Sequence, residues 1–186
     1  MPLPGAVAAS KVDRRRTKRV GLAVLGVAAL AALAVFGLRS EGSPAGGPAA
    51  PELPHETLVA PHVSIRSLTA GAHGRPSLVL FWASWCGPCK AEAAEIQRYS
   101  QTSQGSGRIV GVNWSDARPE AHSFIAHYGW TFPNMRDGDG SVGNEYKLTG
   151  LPTTFVLDGN GHIRSTLRGP QTEAALQSAM SAVESG

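Results

Sequence analysis

The sequence predicts an α/β domain, a mixed central sheet flanked by helices, behind an N-terminal membrane-spanning helix. Three observations predict the domain. Short apolar runs alternate with helical patterns between residues 76 and 128. Asp158-Gly-Asn-Gly161 separates two strand-like runs, a strong hairpin signal. A capped helical pattern follows at residues 172–184. Strand–helix alternation that ends in a hairpin and a helix implies a mixed sheet with both faces covered.

The elements follow in chain order. Residues 1–40 carry seven Lys or Arg and one acid, whereas the remaining 146 residues carry ten basic and thirteen acidic side chains. The net charge of +3 is therefore +6 in the leader and −3 beyond it. The basic character belongs to the leader and gives no support for nucleic-acid binding by the domain. Val20 to Leu38 contains no charged residue. As a helix it would span roughly 28 Å, close to a bilayer's hydrocarbon thickness. Six of the seven leader bases precede the run, so the positive-inside rule leaves residues 1–19 in the cytoplasm and exports the rest. Cleavage as a signal peptide is the alternative, but the run is long for that and no clean Ala-x-Ala site follows. The expected location is the cell membrane, single-pass, with the domain on the extracytoplasmic side. Residues 39–56, with Pro44, Pro48, Pro51 and Pro54, read as an extended tether, and residues 57–186 as the folded domain.

Within the domain, Pro76 to Trp82 reads as a strand buried on both faces. A helical pattern runs from Lys90 to about Ser100, and residues 108–113 read as a second buried strand. Residues 117–128 form a helix closed by Gly129, and Phe132 to Arg136 a short extended piece. Residues 141–147 form one or two helical turns. Thr153–Leu157 and His162–Arg168 pair across the hairpin, and Thr172 N-caps the last helix.

The chain has two cysteines, spaced Cys86-x-x-Cys89. That is too few for a disulfide-stapled scaffold, so the domain needs an apolar core and the pair is free for chemistry. Placed between a buried strand and a helix, Cys86 sits at the helix N-terminus. Free backbone N–H groups and the helix dipole stabilise a thiolate there, making Cys86 the attacking nucleophile. Cys89, one turn on, is placed to resolve a mixed disulfide by attacking the Cys86 sulfur. Pro88 suits the first helical turn, and Gly87 leaves room for a second backbone. A structural bridge across three residues would add little stability. Zinc would need two further ligands, and His122 and His127 lie too far along the chain for the usual spacing. No cofactor or metal is implied.

Phe81-Trp-Ala-Ser-Trp-Cys-Gly-Pro-Cys-Lys90 resembles the active-site segment of thioredoxins. The resemblance covers about residues 58–184. Gly150-Leu-Pro-Thr-Thr-Phe-Val156 looks like that family's cis-proline strand start, and residues 112–133 look like the extra segment of membrane-anchored TlpA/ResA-type thioredoxin-like proteins. The resemblance implies a thioredoxin fold and a cis Pro152 facing the cysteine pair. It also implies that the Leu151 backbone pairs with an incoming substrate strand. Trp85 would shape the substrate surface, whereas Trp114 and Trp130 read as packing and Lys90 as a solvated charge.

Two departures stand out. Thioredoxins carry a buried Asp on the strand before the motif, and here Leu80 replaces it. TlpA/ResA-type proteins carry an acid after the next strand, and Asp116 falls there. It either accepts the Cys89 proton as a buried carboxyl or N-caps the following helix. Ala94 stands where the family has a kink proline in the first helix.

The resemblance implies a reductase of client proteins carrying disulfides or thiols, fed by a membrane electron-transfer partner and possessing the Gly-Pro dipeptide of reducing thioredoxins. Apocytochromes c are among the clients it suggests. An oxidase that donates its disulfide to secreted proteins is the alternative. A redox-inert module on a membrane stalk and a thiol peroxidase are weaker readings.

Overall fold

The structure, a computed structural model, describes residues 46–186. The leader 1–19 and the expected span 20–38 lie outside the described residues. Among the described residues, no helix is long and apolar enough to cross a membrane.

Six strands form one sheet in the order β1-β4-β3-β2-β5-β6. They are β1 (Glu56–Val59), β2 (Ser77–Trp82), β3 (Ile109–Trp114), β4 (Asn134–Asp137), β5 (Thr153–Leu157) and β6 (Ile163–Arg168). β2, β3 and β4 run parallel, and β1, β5 and β6 pair antiparallel to their neighbours, so the sheet is mixed. The helices are α1 (Ile65–Gly71), α2 (Gly87–Gln101), α3 (Arg118–Tyr128), α4 (Ser141–Glu145) and α5 (Glu173–Glu184).

Central position explains why β2 reads as a continuous apolar run: every one of its side chains is buried. Successive side chains alternate between faces. Leu78, Leu80 and Trp82 enter one core cluster with Ile96, Phe124, Trp130, Leu176 and Met180 of the helix side. Val79 and Phe81 enter the other with Val110, Val112, Met135, Phe155 and Leu68. Leu80 is fully buried among apolar neighbours, which accounts for an aliphatic residue there.

The caps follow the expectations. Thr172 accepts a hydrogen bond from the Ala175 N–H at 3.1 Å, and Gly129 closes α3 in the left-handed region at φ 64°. α2 runs unbroken through Ala94. β1 and α1 went unread in the sequence. α1 begins with a capping box in which Ser64 and Ser67 satisfy each other's backbone N–H groups, where the usual partner is Glu or Gln.

The tether over 39–56 and the domain start at 57 need correction for their described part. Residues 46–56 pack on the domain. Ile163 donates its N–H to the Pro48 carbonyl at 2.8 Å, and Ala50 donates to the Gly161 carbonyl at 2.9 Å. The Tyr146 hydroxyl donates to the Pro51 carbonyl at 2.8 Å, and Leu53 is buried. Proline lacks an N–H but keeps its carbonyl, and here proline carbonyls accept from the edge strand and from a tyrosine. Composition alone reads such a segment as unpaired.

Candidate redox site

β2 ends at Trp82, and a short turn leads into α2 at Cys86. Cys86 is the N-cap residue of α2, in extended conformation, and its Sγ accepts the Cys89 N–H at 3.1 Å. Pro88 occupies the first turn, where no helical acceptor awaits an N–H. Cys86 and Cys89 are joined in a disulfide, with Cα atoms 5.2 Å apart. Both cysteines are buried, Cys86 at 4 % exposure and Cys89 at 1 %. Gly87 and Pro88 are exposed, and a side chain at Gly87 would point into open space. Lys90 is exposed.

The Leu151–Pro152 bond is cis. β5 starts one residue later, with Thr153 beside Phe81 of β2, so Pro152 lies at the sheet end from which α2 departs. Thr153 is the first β5 residue paired on either side, leaving the Leu151 backbone outside the ladder. Leu151 itself is half-buried against both core clusters. Trp85 stands out at 56 % exposure. Its indole N–H donates to the Ser115 carbonyl at 3.1 Å. Trp130 is buried packing, with its N–H on the Ala93 carbonyl at 2.9 Å.

Asp116 is buried, and its carboxylate is fully engaged. It accepts from the Ser84 N–H at 2.6 Å, the Ser84 hydroxyl at 2.8 Å, the Asn113 amide at 2.8 Å and the Ala117 N–H at 2.9 Å. The Arg136 guanidinium donates to the Asp116 carbonyl at 2.9 and 3.2 Å, and to the Glu56 carboxylate at 2.9 Å. The expected capping role shifts by one residue: Ala117 is the N-cap of α3, without a side-chain cap. Asp116 ties the turn before Cys86 to the β3–α3 loop.

A second buried acid was missed. Glu92 lies on α2 one turn beyond Cys89, on the same side of the helix, and is 2 % exposed. One carboxylate oxygen accepts the Gln171 N–H at 2.7 Å, and the other is buried with no partner. Burial pushes the Glu92 carboxyl up to about 7, partly offset by the Gln171 N–H. The readable signal was Cys89-x-x-Glu92, a spacing that puts the acid on the helix face already turned inward by the cysteine.

A helix-terminal cysteine pair, a strand-starting cis proline and a buried ionisable acid, set on this sheet, define a thioredoxin-like thiol–disulfide oxidoreductase. The comparisons with known proteins agree. The chain belongs to the Redoxin family, whose model matches residues 46–183. It is 36 % identical over 148 residues to the thiol:disulfide interchange protein DsbE of Allochromatium vinosum, covering 76 % of this chain and 79 % of the relative. It is 31 % identical to the thiol-disulfide oxidoreductase ResA of Bacillus subtilis over 61 % of this chain and 64 % of that one. Among solved structures it is similar to a thioredoxin-family thiol:disulfide interchange protein from Chlorobium tepidum, at TM-score 0.64 and 25 % identity over 76 % of this chain and 99 % of that one. StoA from Bacillus subtilis aligns at TM-score 0.59 and 28 % identity, over 69 % and 96 %.

Proposed function

We propose that the protein is a reductase of client disulfides on the extracytoplasmic side of a membrane. The observation that carries the reading is Cys86 at the N-terminus of α2, backed by buried Cys89 and flanked by exposed Gly87, Pro88 and Trp85. In the reduced protein the Cys86 thiolate attacks one sulfur of a client disulfide. A Cys86–client disulfide forms and one client thiolate leaves. Cys89 then gives up its proton and attacks the Cys86 sulfur. The client departs with its second thiol, two electrons richer, and the Cys86–Cys89 disulfide remains. The client's backbone pairs with Leu151, ahead of Pro152, by strand addition.

Glu92 serves as the acceptor of the Cys89 proton, because it is the acid whose titration lies near neutrality and whose second oxygen is unpartnered. Asp116 shapes the turn that presents Cys86. Residues 20–38 anchor the chain, 1–19 stay in the cytoplasm, and a membrane electron-transfer partner reduces the spent disulfide. The resemblance to apocytochrome-reducing proteins supports maturation of cytochromes c as the client chemistry.

The test is a Cys89→Ser variant in its native membrane, which should accumulate mixed disulfides through Cys86. Apocytochromes among the trapped species support the reading, and an empty trap contradicts exchange altogether. The reduction potential sets the direction. A couple below about −200 mV fits a reductase, whereas one near −120 mV would make the protein an oxidase.

A further inference from the structure

Trp85 is the large apolar side chain left exposed among the described residues, and it adjoins Cys86. It is not loose. Its N–H is spent on the Ser115 carbonyl, and its ring centroid lies 6.3 Å from that of Trp114, tilted by 56°. Trp114, at the end of β3, is half-buried and packs against the second core cluster.

The indole of Trp114 rests on bare backbone. A Cβ at Gly143 would collide with its Nε1 and Cδ1, and one at Gly140 would lie 3.0 Å from Nε1. The Trp114 N–H points at the Gly140 carbonyl, 3.4 Å away. Both glycines belong to a segment that is itself held. Gly140, at φ 77°, precedes α4, and the buried Asp137 carboxylate accepts the N–H groups of Val142 at 3.2 Å and Gly143 at 2.8 Å. A continuous set of contacts therefore runs from Asp137 through α4 and Trp114 to Trp85.

We infer that Trp114, seated on Gly140 and Gly143, is a positioning residue that holds Trp85 as an aromatic wall for an apolar side chain flanking the client's reacting cysteine. The occupant follows from what Trp85 offers. Its single donor is used internally, so the surface it turns to water is ring carbon. Trp85 is exposed and immediately precedes Cys86 in the chain, so a client whose cysteine meets Cys86 brings the residue next to that cysteine to the ring. The inference rests on the exchange reading.

The experiment uses the full chain in detergent micelles and two peptides linked as disulfides to a reporter thiol, identical except for Phe or Gly beside the cysteine. The wild type should favour the Phe peptide by about tenfold in kcat/KM, carried by KM. Trp114→Ala and Gly143→Ala should each bring the ratio close to one, and Trp114→Phe should keep most of it. Gly143→Ala adds one methyl group and carries the test if Trp114→Ala fails to fold. No preference in the wild type, or a full preference in both variants, overturns the inference and leaves the exchange reading standing. Exchange with neither peptide by the wild type overturns the exchange reading itself.

Discussion

Two buried carboxyl groups bracket the cysteine pair, and they are held in opposite ways. Asp116, on the strand side, accepts four hydrogen bonds, two of them from Ser84. Glu92, on the helix side, accepts one, and its other oxygen faces the interior unpartnered. A carboxylate surrounded by donors is a brace: its charge is compensated and its geometry is set. A carboxyl buried with one donor is poised to change charge, because burial disfavours its ionised form. The difference is what the proposed division rests on, with Asp116 as the brace and Glu92 as the proton acceptor.

The largest effect that bears on this comparison is expected at the cysteine pair itself. Cys86→Ser should abolish disulfide exchange with any client while leaving the fold intact, as measured by insulin-type reduction beside far-UV circular dichroism. A redox-inert module would keep its function in that variant. Asp116→Ala should come next. It strands the buried Asn113 amide and the half-buried Ser84 donors and should lower stability by about 2–3 kcal/mol, read from the urea midpoint at constant slope. A loss below about 1 kcal/mol would remove the brace from the account.

Glu92→Gln separates the two acids by pH. Glu92 ionises at about 7 in the folded chain, against 4.5 for an unperturbed glutamate. Below pH 4.5 the group is protonated in both states and costs nothing. Between 4.5 and 7 the native state holds more protons than the unfolded one, so stability falls as pH rises. Above 7 the penalty is complete, up to about 3 kcal/mol. The amide still accepts from Gln171 without this penalty, so the variant should gain on the wild type as pH rises and match it in acid. A constant difference across that window would contradict the assignment. The smallest effect belongs to the surface. Arg118 pairs with Glu56 in the open, and Arg118→Ala should shift stability by less than about 1 kcal/mol and leave exchange unchanged.

Much of this was legible in the residues. The run from Pro76 to Trp82 declares a doubly buried strand because its apolar character is unbroken, and Cys86-Gly-Pro-Cys89 ahead of a helical pattern suits a helix start because the first turn is where a helix tolerates proline. The hairpin turn and the Thr172 cap are equally local. What stayed hidden depended on partners distant in sequence. The spacing places Glu92 on the helix face of Cys89, but its single hydrogen bond comes from Gln171, far along the chain. Pro48 and Pro51 look unpaired until Ile163 and Tyr146 supply donors. Trp114 reads as packing, and only Gly140 and Gly143, more than twenty residues on, reveal how its ring is seated.

The division of labour between the acids is tested most directly by following the Glu92 side-chain carboxyl carbon by NMR through a pH titration of the oxidised protein, with Glu92→Gln to assign the signal. The account predicts a midpoint near 7. A midpoint in the ordinary glutamate range, close to 4.5, would contradict it and leave the Cys89 proton to be taken by some other group.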